Sequence, residues 1–337
     1  MSFRVKVEPS GHEFTAEPNE AILDAAEHQG VSLPYGCRNG VCGNCSGTLV
    51  AGSIAYPDEG GAIVDSAGES CLTCQAIADS DIVIHVKEVE SIKEIKIRTL
   101  PTKVERLEQL TGDVMRLYLS LPEGQRMPFL AGQYLDFIMD DGHRRAFSMA
   151  NAPHNDTVIE LHIRHIDGGK FTGHVFSSMK VGDIQTIQAP MGGFYLREES
   201  ERPLIFMAGG TGFAPLKAII EHAIHTGLNR PVHLYWGVRS SSDLYLNDLA
   251  QSWADSLKGF SYTPVLSEPE AGWSGTTGWV HEAVVADHPE MSRFDLYMSG
   301  PPPMVFAGKR AFIDAGILEE NIYSDVFEWA KDSPDKG

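Results

Sequence analysis

Hydrophobic and polar positions change rhythm twice along this chain, dividing it into three segments. In the first, Phe3, Val5 and Val7 alternate with polar residues, the period of a half-buried strand. Gly11 breaks the run, and His12 to Ala16 can return as a hairpin. A helix is predicted from Asn19 or Glu20 through Ile22, Leu23, Ala25 and Ala26, stopped by Gly30. Asp81 to Glu88 alternates again as a closing strand. Ser91 to Thr99, rich in Lys and Ile, reads as a linker ending at Pro101. Short strand-like runs follow at 114–119, 134–138 and 158–163, separated by Gly, Pro and Asp turns, as in a barrel or sandwich. From Pro203 onward strands and helices alternate. Leu204–Ala208 is a buried strand, a Gly-rich turn follows, and a helix is expected from about Ala214 to Gly227. Val232–Val238 and Phe294–Met298 are further strands, the pattern of a doubly wound parallel sheet. The expected division is a small α+β unit over 1–90, a linker over 91–100, an all-β domain over 101–199 and an α/β domain over 200–337.

Composition narrows the function classes. At 337 residues, with 42% hydrophobic residues, the chain can bury two or three cores. A net charge of −19 argues against nucleic acid and anionic membrane surfaces, which select Lys and Arg patches. No apolar run reaches the roughly 18 residues of a membrane span. Met1–Val7 lacks the apolar core of a secretion signal, so a reducing cytoplasmic setting is expected. Five cysteines, an odd number, fit a disulfide framework poorly.

Cys37, Cys42 and Cys45 stand in one Gly-rich loop, and Cys74 lies well downstream. This C-x4-C-x2-C…C order is the plant-type ferredoxin spacing for a [2Fe–2S] cluster. Gly36, Gly40 and Gly43 let the backbone curl its N–H groups toward sulfur, which favours the reduced cluster. The rival is zinc, because Cys42-x2-Cys45 and Cys71-x2-Cys74 also form two CxxC pairs. Zinc leaves Cys37 without a role, whereas the cluster leaves Cys71, read as a small buried hydrophobe. Cys37, in the Gly loop, tips the choice to the cluster.

Arg145, Phe147 and Ser148 combine a forked pyrophosphate donor, an aromatic on the same side of an extended strand and a hydroxyl. Met207–Pro215 joins a strand to a helix through Gly209, Gly210, Thr211 and Gly212, so backbone N–H groups and a helix N-terminus face a pyrophosphate. These segments resemble the ferredoxin–NADP reductase superfamily. Arg145-x-Phe147-Ser148 is similar to its R-x-Y-S flavin motif, with Phe147 where the family has Tyr. Ala131–Tyr134 resembles the G-Q-Y turn before it. His162, Ile163 and Arg164, followed by Gly169, Lys170 and Thr172, resemble the second flavin segment. The G-G-T-G-x-A-P form ends at Pro215. Ser299, Gly300, Pro301 and Met304 resemble the C-G-P-P-x-M nicotinamide motif, with Ser for Cys. Trp236–Asp243 is similar to the adenosine-ribose segment, with Arg239 beside the adenosine and Asp243 repelling a 2′-phosphate or accepting from a ribose hydroxyl. Phe327 resembles the terminal aromatic beside the flavin.

The resemblance implies a β-grasp ferredoxin domain, a six-stranded antiparallel barrel holding FAD and an NAD-binding domain. Their order is that of the reductase components of phenol hydroxylases and benzoate dioxygenases. It is equally similar to the CDP-6-deoxy-Δ3,4-glucoseen reductases of the dideoxysugar pathway. The expected activity is that of an NAD(P)H-dependent oxidoreductase, with NADH favoured over NADPH. Electrons would pass through FAD to the cluster and then to a partner protein, an oxygenase component or a dideoxysugar dehydrase. Ser148, Ser299 and Phe327 would border the reacting rings. The other readings are an electron-transfer or sensor module without nicotinamide turnover, and a flavin reductase with structural zinc.

Overall fold

The computed structural model describes residues 2–36, 38, 40, 43–57, 62–64, 70–86, 88 and 95–327. Cys37 and Cys42 lie outside the described residues. The chain divides into two compact units, Met1–Lys96 and Ile97–Gly337.

The first unit contains β1 (Phe3–Glu8), β2 (Glu13–Ala16), α1 (Ile22–His28), β3 (Ser46–Ala51), β4 (Ile54–Tyr56), β5 (Ala62–Val64), β6 (Ser70–Leu72), β7 (Ile77–Ala78) and β8 (Ile82–His85). Five strands form a sheet in the order β2-β1-β8-β3-β6, and β5-β4-β7 form a smaller one. β1 and β8 are parallel; the other pairs are antiparallel. The period-two pattern is realised: Val5, Val7, Ile82 and Ile84 are buried. The helix starts slightly later than the sequence suggests. It buries Ile22, Leu23, Ala25 and Ala26 in the same core cluster as those strand residues, which gives a short helix its stability.

The second unit opens with β9 (Arg98–Gln109), β10 (Val114–Ser120), β11 (Tyr134–Ile138), β12 (Arg144–Ser148), β13 (Ile159–Arg164), α2 (Lys170–Ser177) and β14 (Ile184–Met191). β9 begins inside the stretch expected to be linker: Arg98, Thr99 and Leu100 pair with Ala189, Gln188 and Ile187. Backbone N–H and C=O groups at that depth need partners, and β14 supplies them. The six strands form one antiparallel sheet, β12-β11-β14-β9-β10-β13. Its ladder does not close as expected of a barrel. Among the described residues the edges β12 and β13 are joined beyond Ser148, by the isolated bridge Met149–Leu161 and by Ala150 N–H donating to Glu160 O at 2.7 Å.

The unit continues through β15 (Leu204–Gly209), α3 (Phe213–Thr226), β16 (Val232–Val238), α4 (Asn247–Ser256), β17 (Phe260–Leu266), β18 (Thr276–Thr277), α5 (Val280–Asp287), β19 (Asp295–Gly300), α6 (Pro302–Asp314) and β20 (Ile322–Val326). These strands are parallel, in the order β18-β17-β16-β15-β19-β20. Phe206, Ala208, Leu234 and Trp236 share a core with Phe213, Leu216, Ala250 and Trp253 of α3 and α4. Val280 of α5 fits against Gly237, and Met207 reaches Gly308 of α6. The order reverses between β15 and β19, the kind of switch point beyond whose carboxyl ends open α/β sheets bind ligands.

Candidate functional site: a flavin–nicotinamide crevice and a paired-thiol turn

The carboxyl ends of β15 and β19 carry the two Gly-containing motifs, and the fold interlocks them. A Cβ on Gly209 would come within 2.4 Å of Met304 Sδ, and one on Gly212 within 2.0 Å of Ser299 O. Any side chain there would push the turns apart. Thr211 is half-buried and Pro215 is buried in the first turn of α3. That helix starts at Phe213 with no side-chain cap, its first N–H donating to Gly210 O in the single 3-10 turn of Gly210–Gly212 that leads into it.

β12 reaches the same place from the antiparallel sheet. Ser148, 8% exposed, donates to Asp325 Oδ2 at 2.7 Å. Ser299 Oγ lies 3.5 Å from the same oxygen, and Ser299 pairs with Asp325 across β19 and β20. One carboxylate therefore joins the flavin-type and nicotinamide-type segments. Asp325 was missed in the sequence because a lone Asp between strand residues carries no motif. Ser299 is fully buried, with its hydroxyl turned toward that carboxylate. The Phe327 N–H donates to Gly300 O at 3.0 Å, which holds this terminal aromatic against the nicotinamide motif.

Arg145 and Phe147 share one side of β12, as alternation requires. The Phe147 ring packs 5.8 Å from Phe137 and 5.4 Å from Phe171 and stays half-buried, leaving part of its surface to a ligand. Gly169 caps α2 without a side-chain hydrogen bond, and Lys170 is exposed in its first turn. The Thr172 hydroxyl is engaged within the turn, accepting from Ile166 N–H at 3.1 Å. The hydroxyl is thus committed to the turn, and what the helix start offers an anion is its positive dipole end.

On β13 the side chains of His162 and Ile163 are buried, so only their backbone can face a ligand. His162 belongs to a polar network. Its Nε2 lies 2.9 Å from Glu160 Oε1 and its Nδ1 3.0 Å from the Tyr245 hydroxyl. Lys217 of α3 donates to Glu160 Oε2 at 3.2 Å and to Ala150 O at 3.1 Å, and pairs with Glu221. Burial disfavours a charged Glu160, but the His162 hydrogen bond and then Lys217 outweigh it and hold the carboxyl down at about 2. Burial lowers His162, so a neutral ring donates Nε2–H to Glu160 and accepts from Tyr245 at Nδ1. Removing Lys217 would strand a buried carboxylate, a loss of about 3–5 kcal/mol.

Arg164 is the orphan of the site. Its Nη1 pairs with Asp113 at 3.3 Å, but Nε and Nη2 are buried without partners among the described residues, and Nη2 lies 3.7 Å from the Cβ position of Gly210. Unpaired guanidinium donors beside a glycine turn suit a phosphate oxygen. Arg239 is exposed at the end of β16. Asp243, expected to meet a ribose or repel a phosphate, has its Oδ2 occupied by Ser240 N–H and Oγ in a capping box. Glu270 Oε2 approaches Ser241 N–H at 3.4 Å, adding a second carboxylate to this segment.

In the first unit, Cys45 and Cys74 face each other with Sγ atoms 3.1 Å apart. That is too long for a disulfide of about 2.05 Å. It approaches the roughly 3.8 Å between two thiolates on one tetrahedral metal at about 2.3 Å each. Two facing sulfurs are the donor type a soft metal takes, and the other two candidate ligands, Cys37 and Cys42, lie outside the described residues. Cys71 is fully buried in the core, and burial, then Cys74, push its thiol up to about 12.

Three family models match the chain. A 2Fe-2S iron-sulfur cluster binding domain covers residues 5–79, an oxidoreductase FAD-binding domain 101–195 and an oxidoreductase NAD-binding domain 206–309. The protein is an NAD(P)H-dependent iron–sulfur flavoprotein oxidoreductase, equipped for a [2Fe–2S] cluster, FAD and NADH. It belongs to the family of electron-transfer reductases that join these three domains in one chain. It is 38% identical over 328 residues to the CDP-6-deoxy-L-threo-D-glycero-4-hexulose-3-dehydrase reductase of Yersinia pestis, covering 97% of this chain and 99% of that one. It is 35% identical over 330 residues to a reductase component of terephthalate 1,2-dioxygenase from Comamonas sp, covering 97% and 98%. The crystal structure of the Amycolatopsis cytochrome P450 reductase GcoB superposes with a TM-score of 0.77 at 29% identity, covering 96% and 98%. No helix of the described residues is long and apolar enough to cross a membrane.

Proposed function

We propose that this chain takes electrons from NADH and delivers them, through FAD and a [2Fe–2S] cluster, to a partner protein of the dehydrase or oxygenase kind. The carrying observation is the Asp325 carboxylate shared by Ser148 and Ser299. A hydride moves only between atoms held about 3–3.5 Å apart, so the flavin and nicotinamide segments must converge. FAD when bound accepts a hydride and releases electrons singly, and the cluster carries single electrons.

The chain's own residues bind and orient. Arg145 and the uncapped start of α2 would hold the FAD pyrophosphate, with Lys170 nearby. Phe147 would flank the flavin, and the backbone of His162 and Ile163 would border its edge. Because Ser148 donates its hydrogen to Asp325, its oxygen presents lone pairs to an N–H of the ring. Gly209–Gly212, Pro215 and Arg164 would hold the NADH pyrophosphate. Gly300, Pro301, Met304 and Ser299 would border the nicotinamide, with Phe327 at its mouth. Arg239 would lie along the adenosine, and Asp243 with Glu270 would disfavour a 2′-phosphate. Cys37, Cys42, Cys45 and Cys74 would ligate the cluster, with Cys71 a core residue. The antiparallel sheet serves as the FAD barrel, curled so that its edges meet at Met149–Leu161. The parallel sheet is doubly wound. The domains are 1–90, about 98–199 and 200–337. The protein would work in the cytoplasm, without nucleic acid or membrane.

Anaerobic stopped-flow mixing with NADH tests the order of transfer. Flavin absorbance should bleach first and cluster absorbance second, with NADPH slower. An unreactive flavin would sink the reading, as would zinc in place of iron. Product assays with candidate dehydrase and oxygenase components would identify the acceptor.

A further inference from the structure

Two side chains tie the cysteine loop to the turn carrying Cys74: Thr73 donates its hydroxyl to Cys45 O at 3.1 Å, and Gln75 reaches the other end of the loop at Arg38. Gln75 Nε2 donates to Arg38 O at 2.8 Å and to Cys74 O at 2.9 Å, and lies 3.8 Å from Cys74 Sγ. A side-chain amide has two N–H groups. The two carbonyls, being much closer, take them, and the sulfur receives a weaker shared contact. The stem of Gln75 is wedged beneath the loop: a Cβ on Gly40 would stand 3.0 Å from Gln75 Cγ.

Arg38, next to Cys37, is held from several sides. Its guanidinium pairs with Asp24 at 2.8 Å and with Glu27, and stacks 4.4 Å from the centre of the Tyr35 ring. Its backbone is left-handed, φ 60°, which costs a non-glycine residue about 1 kcal/mol and persists only where the surroundings impose it. The same helix that supplies Asp24 and Glu27 is bonded to the Cys74 turn, through Ile22 N–H to Ala76 O and Leu23 N–H to Thr73 O, both at 2.9 Å. Arg38 and the Cys74 turn are thus registered to α1, and Gln75 at Arg38 and Thr73 at Cys45 register loop and turn to each other.

We propose that Gln75 is a positioning residue for the [2Fe–2S] cluster, its amide fixing the loop backbone at Arg38 against Cys74 and lending N–H character to the Cys74 sulfur. This rests on Cys74 being a cluster ligand. Gln75 then controls how firmly the cluster is retained and how readily it is reduced. Outer-shell hydrogen bonds commonly change metal affinity 10–100-fold.

The test uses the full-length holoprotein with Gln75→Leu, which fills the space under Gly40 without donors, and Gln75→Glu, which sets a carboxylate beside the sulfur. Gln75→Asn, one methylene shorter, keeps the donors but does not span to Arg38 O, and serves where the Leu protein does not accumulate. FAD content and far-UV circular dichroism report folding. Cluster bleaching by an iron chelator should run about tenfold faster in the Leu and Asn proteins. The midpoint potential, read from the EPR signal of the reduced cluster, should move negative in the Leu protein and further in the Glu protein. Wild-type chelator resistance and potential in the Leu or Asn protein would reduce Gln75 to packing and overturn the proposal. A cluster that survives Cys74→Ser would instead overturn the ligand assignment beneath it.

Discussion

Ser148 and Asp325, 177 positions apart in the chain, are joined by a 2.7 Å hydrogen bond from hydroxyl to carboxylate. Asp325→Asn keeps the shape but weakens the acceptor that orients Ser148. We expect FAD and iron content to hold while flavin reduction by NADH slows at least tenfold. Single-turnover stopped flow measures this, and a wild-type rate would show that the carboxylate is dispensable.

Cys71 and Cys74 differ in surroundings more than in position. Cys74→Ser should abolish the cluster, since its sulfur faces Cys45 at 3.1 Å. Cys71→Ser should keep the cluster but lower thermal stability, because a hydroxyl in a fully buried apolar site costs about 1–3 kcal/mol. Iron analysis and thermal melts of both proteins would decide, and the opposite pattern would exchange the two assignments.

Arg164 holds two buried guanidinium nitrogens beside Gly210 that have no partner among the described residues. Arg164→Leu should weaken NADH binding about tenfold or more, the worth of a charge-assisted hydrogen bond. Titration with NAD+ or ADP-ribose reads the loss directly. An equal loss of FAD instead would assign the guanidinium to the flavin.

His233 links acid sensitivity to the parallel sheet. It contacts Thr263 Oγ1 at 2.9 Å, His288 Nε2 at 3.2 Å and the Tyr235 hydroxyl at 3.0 Å. Burial, then His288, depress it to about 4, against the opposing pull of Asp287. A depressed histidine is neutral in the fold. Its contribution is complete above the unfolded value near 6.5 and is lost as pH falls from there through about 4. Melting temperature should therefore fall across that window in wild type and less steeply in His233→Gln. Parallel curves would remove His233 as the cause.

Phe147→Tyr restores the hydroxyl that the related flavin motif carries, and FAD affinity should stay equal or rise. Dissociation constants for FAD added to apoprotein test it, and a clear fall would mean that the flavin lies elsewhere.

Much was legible in the chain alone, because local chemistry writes itself at fixed spacing. The cysteine loop, the Gly turns at the ends of β15 and β19, the strand through Arg145 to Ser148 and the span of β16 from Val232 to Val238 needed no partner to be recognised. Alternation and helical period located the strands and the helix after Gly212, because each buries one face. Tertiary structure decided what depends on segments meeting. Asp325 matters only because β20 lies beside β19 and meets the end of β12. The His162 side chain faces Glu160 and Tyr245 because α3 and the turn after β16 pack over β13, which commits it to a buried network. Arg98–Leu100 are drawn into the sheet by β14. Spacing records which groups a segment offers, whereas burial and hydrogen-bond competition from distant segments determine which of them remain available for chemistry.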